Sequence, residues 1–169
     1  MCSTSQQKMR STNALTTSVV AIGLTLTGLE PTWAGGVFDA FLGSWNGSGT
    51  ITSTGGGSEP VRCKSSFRST DGNRLAVTVV CASDSYKFNL SSSVVAQGDQ
   101  FSGSWQEETR QVQGDVRGTM SSPDTMQASL DALGGGVQIG ARANGKQMAI
   151  TIQSQGSEVR DVKINLRRS

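Results

Sequence analysis

The side chains that most often carry catalysis are sparse in this sequence of 169 residues, and one is missing altogether: there is no histidine. A Ser-His-Asp or Cys-His nucleophile therefore cannot be assembled. The usual zinc sites, which draw on imidazole, cannot be assembled either. The triple glycines at 55–57 and 134–136 do not lie between a strand and a helix, where a phosphate-binding loop works, and both are read as hairpin turns. Cysteine and carboxylate remain. An enzyme would have to use carboxylates such as Glu107, Glu108 and Asp115. Glu107 and Glu108 are adjacent, so on a strand they point to opposite faces and cannot work as an acid–base pair. The expectation is a protein that is not an enzyme, with no catalytic residue, no metal ligands and no cofactor.

The cysteines point to structure rather than reactivity. Val61, Cys63, Ser65 and Phe67 alternate with Arg62, Lys64, Ser66 and Arg68, and Leu75, Val77, Val79 and Cys81 alternate in the same way. Between the two runs lies Thr70-Asp71-Gly72-Asn73, a strong turn signal. A hairpin folded about Gly72 places Cys63 opposite Cys81, with Ser65–Val79 and Phe67–Val77 paired on the same face. The pair lacks the C-x-x-C spacing that lowers a thiol pKa. A cross-strand structural disulfide facing the interior is expected.

The elements that must position these residues are strands. Nearly everything after Phe41 alternates with period 2, and turn residues interrupt at intervals of about a dozen. The pattern predicts strands at 44–53, 59–69, 73–82, 85–94, 100–108, 111–121, 125–133, 136–143, 146–155 and 159–168. One face carries residues such as Ile51, Val61, Phe67, Leu75, Phe101, Val112, Met148, Ile150 and Leu166, and the other is polar. This is the signature of an antiparallel sheet wet on one side. So many short strands leave exposed edges unless the sheet closes. The fold class is thus all-β: an up-and-down antiparallel meander of about 8–10 strands closing into a small barrel, with a two-sheet sandwich as the alternative. Before the first strand, Phe38, Phe41 and Leu42 have helical spacing, and a single helical turn there would plug one end of the barrel. Many inward positions are small, among them Gly47, Gly49, Ser65, Ser92, Gly103, Gly114, Gly118 and Ala128. Either they bend strands around a filled core, or they leave a cavity for a small apolar ligand.

Gly43-Ser44-Trp45, a Gly-x-Trp opening the first strand of a β-meander, resembles the calycins, the group of lipocalins, avidins and relatives. In that group an arginine from the last strand commonly packs across the tryptophan. The resemblance implies that Arg168, which shares strand parity with Val162, Ile164 and Leu166, stacks on Trp45. A strand count above eight departs from typical lipocalins. The stretch from Arg62-Cys63 to Cys81-Ala82-Ser83-Asp84-Ser85-Tyr86-Lys87-Phe88 separately resembles small exported proteins of alphaproteobacteria, a likeness that implies location and not activity.

The first 34 residues fit that location. Lys8 and Arg10 precede an uncharged apolar run from Ala14 to Leu29, and Pro31-Thr32-Trp33-Ala34 offers a breaker and a small residue for cleavage. The order is that of a secretory signal peptide spanning 1–34, and the run is short for a spanning helix, which needs about 20 predominantly apolar residues. The expectation is a periplasmic or secreted single domain, 35–169, stapled by its disulfide. Of the 15 Lys and Arg two lie in the leader, and of the 13 Asp and Glu one does, which leaves a net charge of +1. That balance makes no electrostatic case for nucleic acid or an anionic membrane. An outer-membrane barrel is disfavoured by the polar second face.

Two functions fit. The first is a ligand-binding barrel whose lining would include Trp45, Tyr86, Phe88 and Trp105. Glu107, an inward carboxylate needing Arg110 or Arg168 as partner, would sit at its mouth. The second is an envelope protein-interaction module, such as a secreted inhibitor or scaffold, with a filled barrel.

Overall fold

The computed structural model describes residues 35–132 and 135–169. The expected signal peptide lies outside the described residues. Ten strands follow one another: β1 Gly43–Ser53, β2 Ser58–Ser69, β3 Arg74–Ala82, β4 Lys87–Gln97, β5 Gln100–Glu107, β6 Val112–Ser122, β7 Thr125–Ala132, β8 Gly135–Asn144, β9 Gln147–Ser154 and β10 Val159–Arg168. Each pairs antiparallel with its neighbour in sequence, and β1 pairs with β10, so the meander closes into a barrel rather than a sandwich. Closure removes the two sheet edges that ten open strands would expose. Because strands run alternately up and down, the barrel has two rims. The start of β1 and the end of β10 define the lower rim, and the β1–β2 turn lies on the upper one.

Turn chemistry fixes the register. At the β2–β3 turn Gly72 takes φ +80°, and Asp71 Oδ1 accepts the backbone N–H groups of Asn73 and Arg74 at 3.1 and 2.7 Å. The resulting ladder sets Cys63 against Cys81, Ser65 against Val79 and Phe67 against Val77. The expected disulfide is present between Cys63 and Cys81, whose Cα atoms are 4.1 Å apart. Gly55–Gly57 forms the β1–β2 turn as expected. The second triple glycine divides differently: Gly135 and Gly136 open β8, and residue 134 lies outside the described residues.

The structure corrects three expectations. β4 begins and ends later than the alternation suggests, because Ser83 N and Oγ close a tight turn on Tyr86, and the chain reverses only at Gly98, with φ +66°. Val112 is a rim residue, 38% exposed, rather than a core one. Among the described residues no helix forms before β1: Asp39, Phe41 and Leu42 donate backbone bonds to residues three earlier, giving overlapping turns. Gly35-Gly36 lies at one end of these turns and Gly43, at φ +120°, immediately after them. The turns still place Phe38 and Phe41 wholly inside, 5.7 Å from Phe101 and 6.5 Å from Phe67 between ring centroids. Burying each ring contributes about 2–3 kcal/mol of hydrophobic stabilisation.

The inward glycines answer to the curvature of the wall. A Cβ on Gly47 would lie 2.0 Å from the Asn165 carbonyl oxygen, and one on Gly103 would lie 1.9 Å from that of Ser93. The neighbouring backbone passes where a side chain would stand. The outer wall is polar. Among the described residues, the exposed large apolar side chains are Val80, Val95 and Val112, and no helix is long and apolar enough to cross a membrane.

Candidate functional site

The lower end of the barrel is sealed. Trp45, at the start of β1, is 1% exposed and donates its indole N–H to the Phe41 carbonyl at 2.8 Å. Arg168, at the end of β10, lies over the Trp45 ring, its Cζ 4.3 Å from the centroid. Its guanidinium also donates to the carbonyls of Leu42, Ala40 (3.1 Å) and Gly145 (3.2 Å), tying the plug segment and the β8–β9 turn to the last strand. The stacking implied by the calycin resemblance is therefore present. Both partners serve as a stopper: around them Phe38, Phe41, Phe67, Leu75, Ala143, Met148 and Leu166 are all 3% exposed or less.

The other residues singled out from sequence lie toward the opposite rim. Trp105 and Glu107 come near the end of β5, Phe88 near the start of β4, and Tyr86 in the turn before it. The structure thus divides the candidate set in two, Trp45 and Arg168 below and Tyr86, Phe88, Trp105 and Glu107 above. Arg168 cannot be the partner of Glu107, because odd strands end on the rim where even strands begin. Trp105 is 7% exposed and donates its indole N–H to the Asp115 carbonyl at 3.2 Å.

Glu107 is 2% exposed. Its Oε1 accepts the backbone N–H groups of Asn89 (2.9 Å) and Thr109 (3.0 Å), and its Oε2 accepts that of Arg110 (2.8 Å). The Arg110 guanidinium stands 3.7 Å from Oε2, on a half-exposed side chain. Burial pushes the carboxyl pKa up, and the three N–H donors pull it down further, so that it rests below the ordinary glutamate value. The group locks the β5–β6 turn to β4. Sequence parity placed it inward, and the partners that satisfy it are backbone groups that no residue pattern reveals.

Glu59, with inward parity at the upper end of β2, accepts from the hydroxyls of Ser83 and Ser85. The Ser83 hydroxyl, offset in part by burial, lowers its pKa. Both inward carboxylates are thus committed to the protein.

Burial changes along the lumen. Toward the upper rim Ile51, Val61 and Leu90 are buried, whereas Phe88, Val137, Ile152, Val159 and Val162 are only half-buried, as are Val77, Val79 and Ile139 deeper in, and Val112 is exposed. Ser65 sits between these regions. It points inward between Cys63 and Phe67, pairs with Trp45 on β1 and Val79 on β3, and is 6% exposed. Its Oγ is the buried side-chain polar atom that lacks a hydrogen-bond partner among the described residues. Ser92, also inward, bonds to the Ser104 carbonyl at 2.9 Å. A groove of about 600 Å³ over β4–β6 is lined by the polar side chains of Ser91, Ser93, Ser104, Gln106, Gln113 and Asp115 together with Ser92, Gly114 and Trp105, one of the residues expected to bind a ligand.

No family model and no curated protein matches the sequence. Solved structures match the fold. The crystal structure of Rv2717c from M. tuberculosis aligns at TM-score 0.62 and 14% identity over 77% of this chain and 93% of that one. The S-type phycobiliprotein lyase CPES from Guillardia theta aligns at 0.54 and 12% over 78% and 90%. A redesigned β-barrel, mFAP1, bound to DFHBI, aligns at 0.43 and 12% over 78% and 98%. At these identities the likeness to Rv2717c and CPES is one of fold. The resemblance to exported alphaproteobacterial proteins gains no support from these matches.

Proposed function

We propose that this protein is a non-enzymatic carrier that holds a small, largely apolar molecule in the lumen of its barrel, on the side away from the plug. The observation that carries this is the asymmetry of the interior. Aromatic rings and Arg168 close the lower end, whereas the aliphatic wall formed by Val79, Val137, Ile139, Ile152 and Val162 is only half-buried above it. About eight strands enclose a space that side chains can fill or that one small ligand can occupy, and diameter grows with strand number. The wall is apolar and its carboxylates are already bonded, which suits binding rather than chemistry. The leader-like start of the sequence and the disulfide support action outside the reducing cytosol, in the periplasm or beyond it.

The test is titration with N-phenyl-1-naphthylamine, a neutral apolar fluorophore, into the oxidised protein. Saturable one-to-one enhancement is expected in the wild type, and its loss in Val79→Trp, which fills the interior beside Ser65. No enhancement, or equal enhancement in Val79→Trp, would reject the reading and turn attention to an envelope protein as partner.

A further inference from the structure

We propose that the outer wall formed by β10, β1 and β2 is a docking surface for an acidic polysaccharide, a linear chain of uronate-type sugars. Alternate side chains of a strand face outward, and the register sets those of these three strands in rows. Arg167, Asn46 and Lys64 form one row, Asn165, Ser48 and Arg62 the next, and Lys163 with Thr50 the third. The cations therefore stand in two columns, on either side of the short polar side chains of β1. By strand geometry the columns are about 9.6 Å apart and successive rows about 6.7 Å. Arg68 continues the β2 column toward the lower rim. All five cations are exposed, and among the described residues none of them makes a salt bridge. The outward acid on these strands is Asp161, half-buried at the upper end and 2.6 Å from Arg160 Nε.

The near balance of charge over 35–169 conceals this division. On the far side of the barrel Arg117 pairs with Asp131 at 3.4 Å and Arg142 with Asp124 at 3.6 Å, and Asp115 is exposed beside them. The wall at β1 keeps its cations without such acids, and a surface of one sign draws counter-ions of the other. The chemistry of the wall selects among polyanions. A uronate chain carries a carboxylate on every ring, which an arginine can take through two parallel N–H bonds. The rest of each ring is hydroxyl-rich, and Asn46, Ser48 and Thr50 offer donors and acceptors between the columns. A single nucleic-acid strand stacks its bases on aromatic side chains, and a membrane-binding face inserts apolar ones. The outward side chains of β10, β1 and β2 include no aromatic and no large aliphatic residue.

Fluorescence anisotropy of labelled oligogalacturonate, with the oxidised protein at pH 7 and about 20 mM NaCl, tests this. Oligothymidylate of equal charge and phosphatidylglycerol vesicles are the comparators. Oligogalacturonate should bind the wild type saturably and more tightly than either, and raising NaCl to about 200 mM should weaken it at least about tenfold. The double substitution Lys64→Gln and Arg167→Gln should weaken it about 3- to 30-fold, the range of two exposed ion pairs. Lys87→Gln with Arg117→Gln removes the same charge from β4 and β6 and should change the affinity less than about twofold. All four side chains are exposed, so both variants should melt close to the wild type. Absence of saturable binding, insensitivity to salt, or a wall variant that binds like the wild type would overturn the proposal. Equal weakening by the two double variants would overturn it in favour of overall charge. Tighter binding of oligothymidylate or of the vesicles would overturn it in favour of nucleic acid or a membrane surface.

Discussion

Replacing Glu107 with glutamine should destabilise the barrel by about 2 kcal/mol at neutral pH, and the loss should vanish in acid. Two backbone N–H groups point at Oε1 and one at Oε2. A glutamine can keep its carbonyl oxygen toward Asn89 and Thr109, but its NH2 then faces the Arg110 N–H, and that bond is lost. Hydrogen bonds to a charged group are worth about 1.5–3 kcal/mol and neutral ones about 1. One bond lost and two weakened comes to about 3 kcal/mol, of which the neutral amide recovers roughly 1 by not burying a charge. The folded carboxyl is held below its ordinary value, so its contribution is complete above the unfolded pKa, about 4.3, and disappears as pH falls through the folded one. Urea unfolding of wild type and Glu107→Gln, with the disulfide intact and tryptophan emission as the probe, gives the gap at each pH. It should be full at pH 7 and closing below about pH 4. A gap under about 0.5 kcal/mol at pH 7, or one that stays constant down to pH 3, would refute the assignment of the turn lock to this carboxylate.

Other expectations follow from the same geometry. The double substitution Cys63→Ser and Cys81→Ser releases a link across 18 residues of sequence and should lower stability by about 3 kcal/mol in urea. Phe41→Ala empties a fully buried site in the plug and should cost about 3–5 kcal/mol. Its mark should be a red-shifted tryptophan emission as water reaches Trp45. Gly103→Ala sets a Cβ 1.9 Å from the Ser93 carbonyl, whereas a Cβ at Gly136 meets nothing within 4 Å. Thermal melts should show Gly103→Ala down by at least about 2 kcal/mol and Gly136→Ala within about 0.5 of wild type. Equal effects would contradict the close approach of β4 and β5.

The barrel and its disulfide were legible because they follow from local signals. Parity assigned Cys63, Ser65 and Phe67 to one face, and Asp71-Gly72 fixed where that face turned back, so the pairing of Cys63 with Cys81 needed nothing long-range. Whether Trp45 and Glu107 belonged to one site was a different kind of question. Its answer was available by counting strands: a residue opening the first strand and one closing the fifth stand on opposite rims of a meander. The stacking of Arg168 on Trp45 was reached only through family likeness. The three N–H donors around Glu107 and the solitary hydroxyl of Ser65 depend on backbone atoms brought together by the register of several strands. No side-chain pattern encodes them. The start of β4 was missed because the Ser83–Tyr86 turn is closed by the Ser83 backbone and hydroxyl and not marked by glycine or proline.

The pairing of β1 with β10 also governs how the molecule can be made. Trp45 meets Arg168, and Ser169 donates its backbone N–H to Ser44 at 2.9 Å, across more than a hundred residues of chain. Every other strand pair is sequential. Nine local hairpin contacts can therefore form early, but the ring itself waits for one very long-range contact, which makes the closing step slow. Until Val159–Arg168 emerges, β1 presents an unpaired edge and the floor under Phe38 and Phe41 lacks the guanidinium that fastens it. A growing chain of this sequence thus remains open, and exposed to capture by chaperones or by its own copies, until nearly the whole barrel has been synthesised.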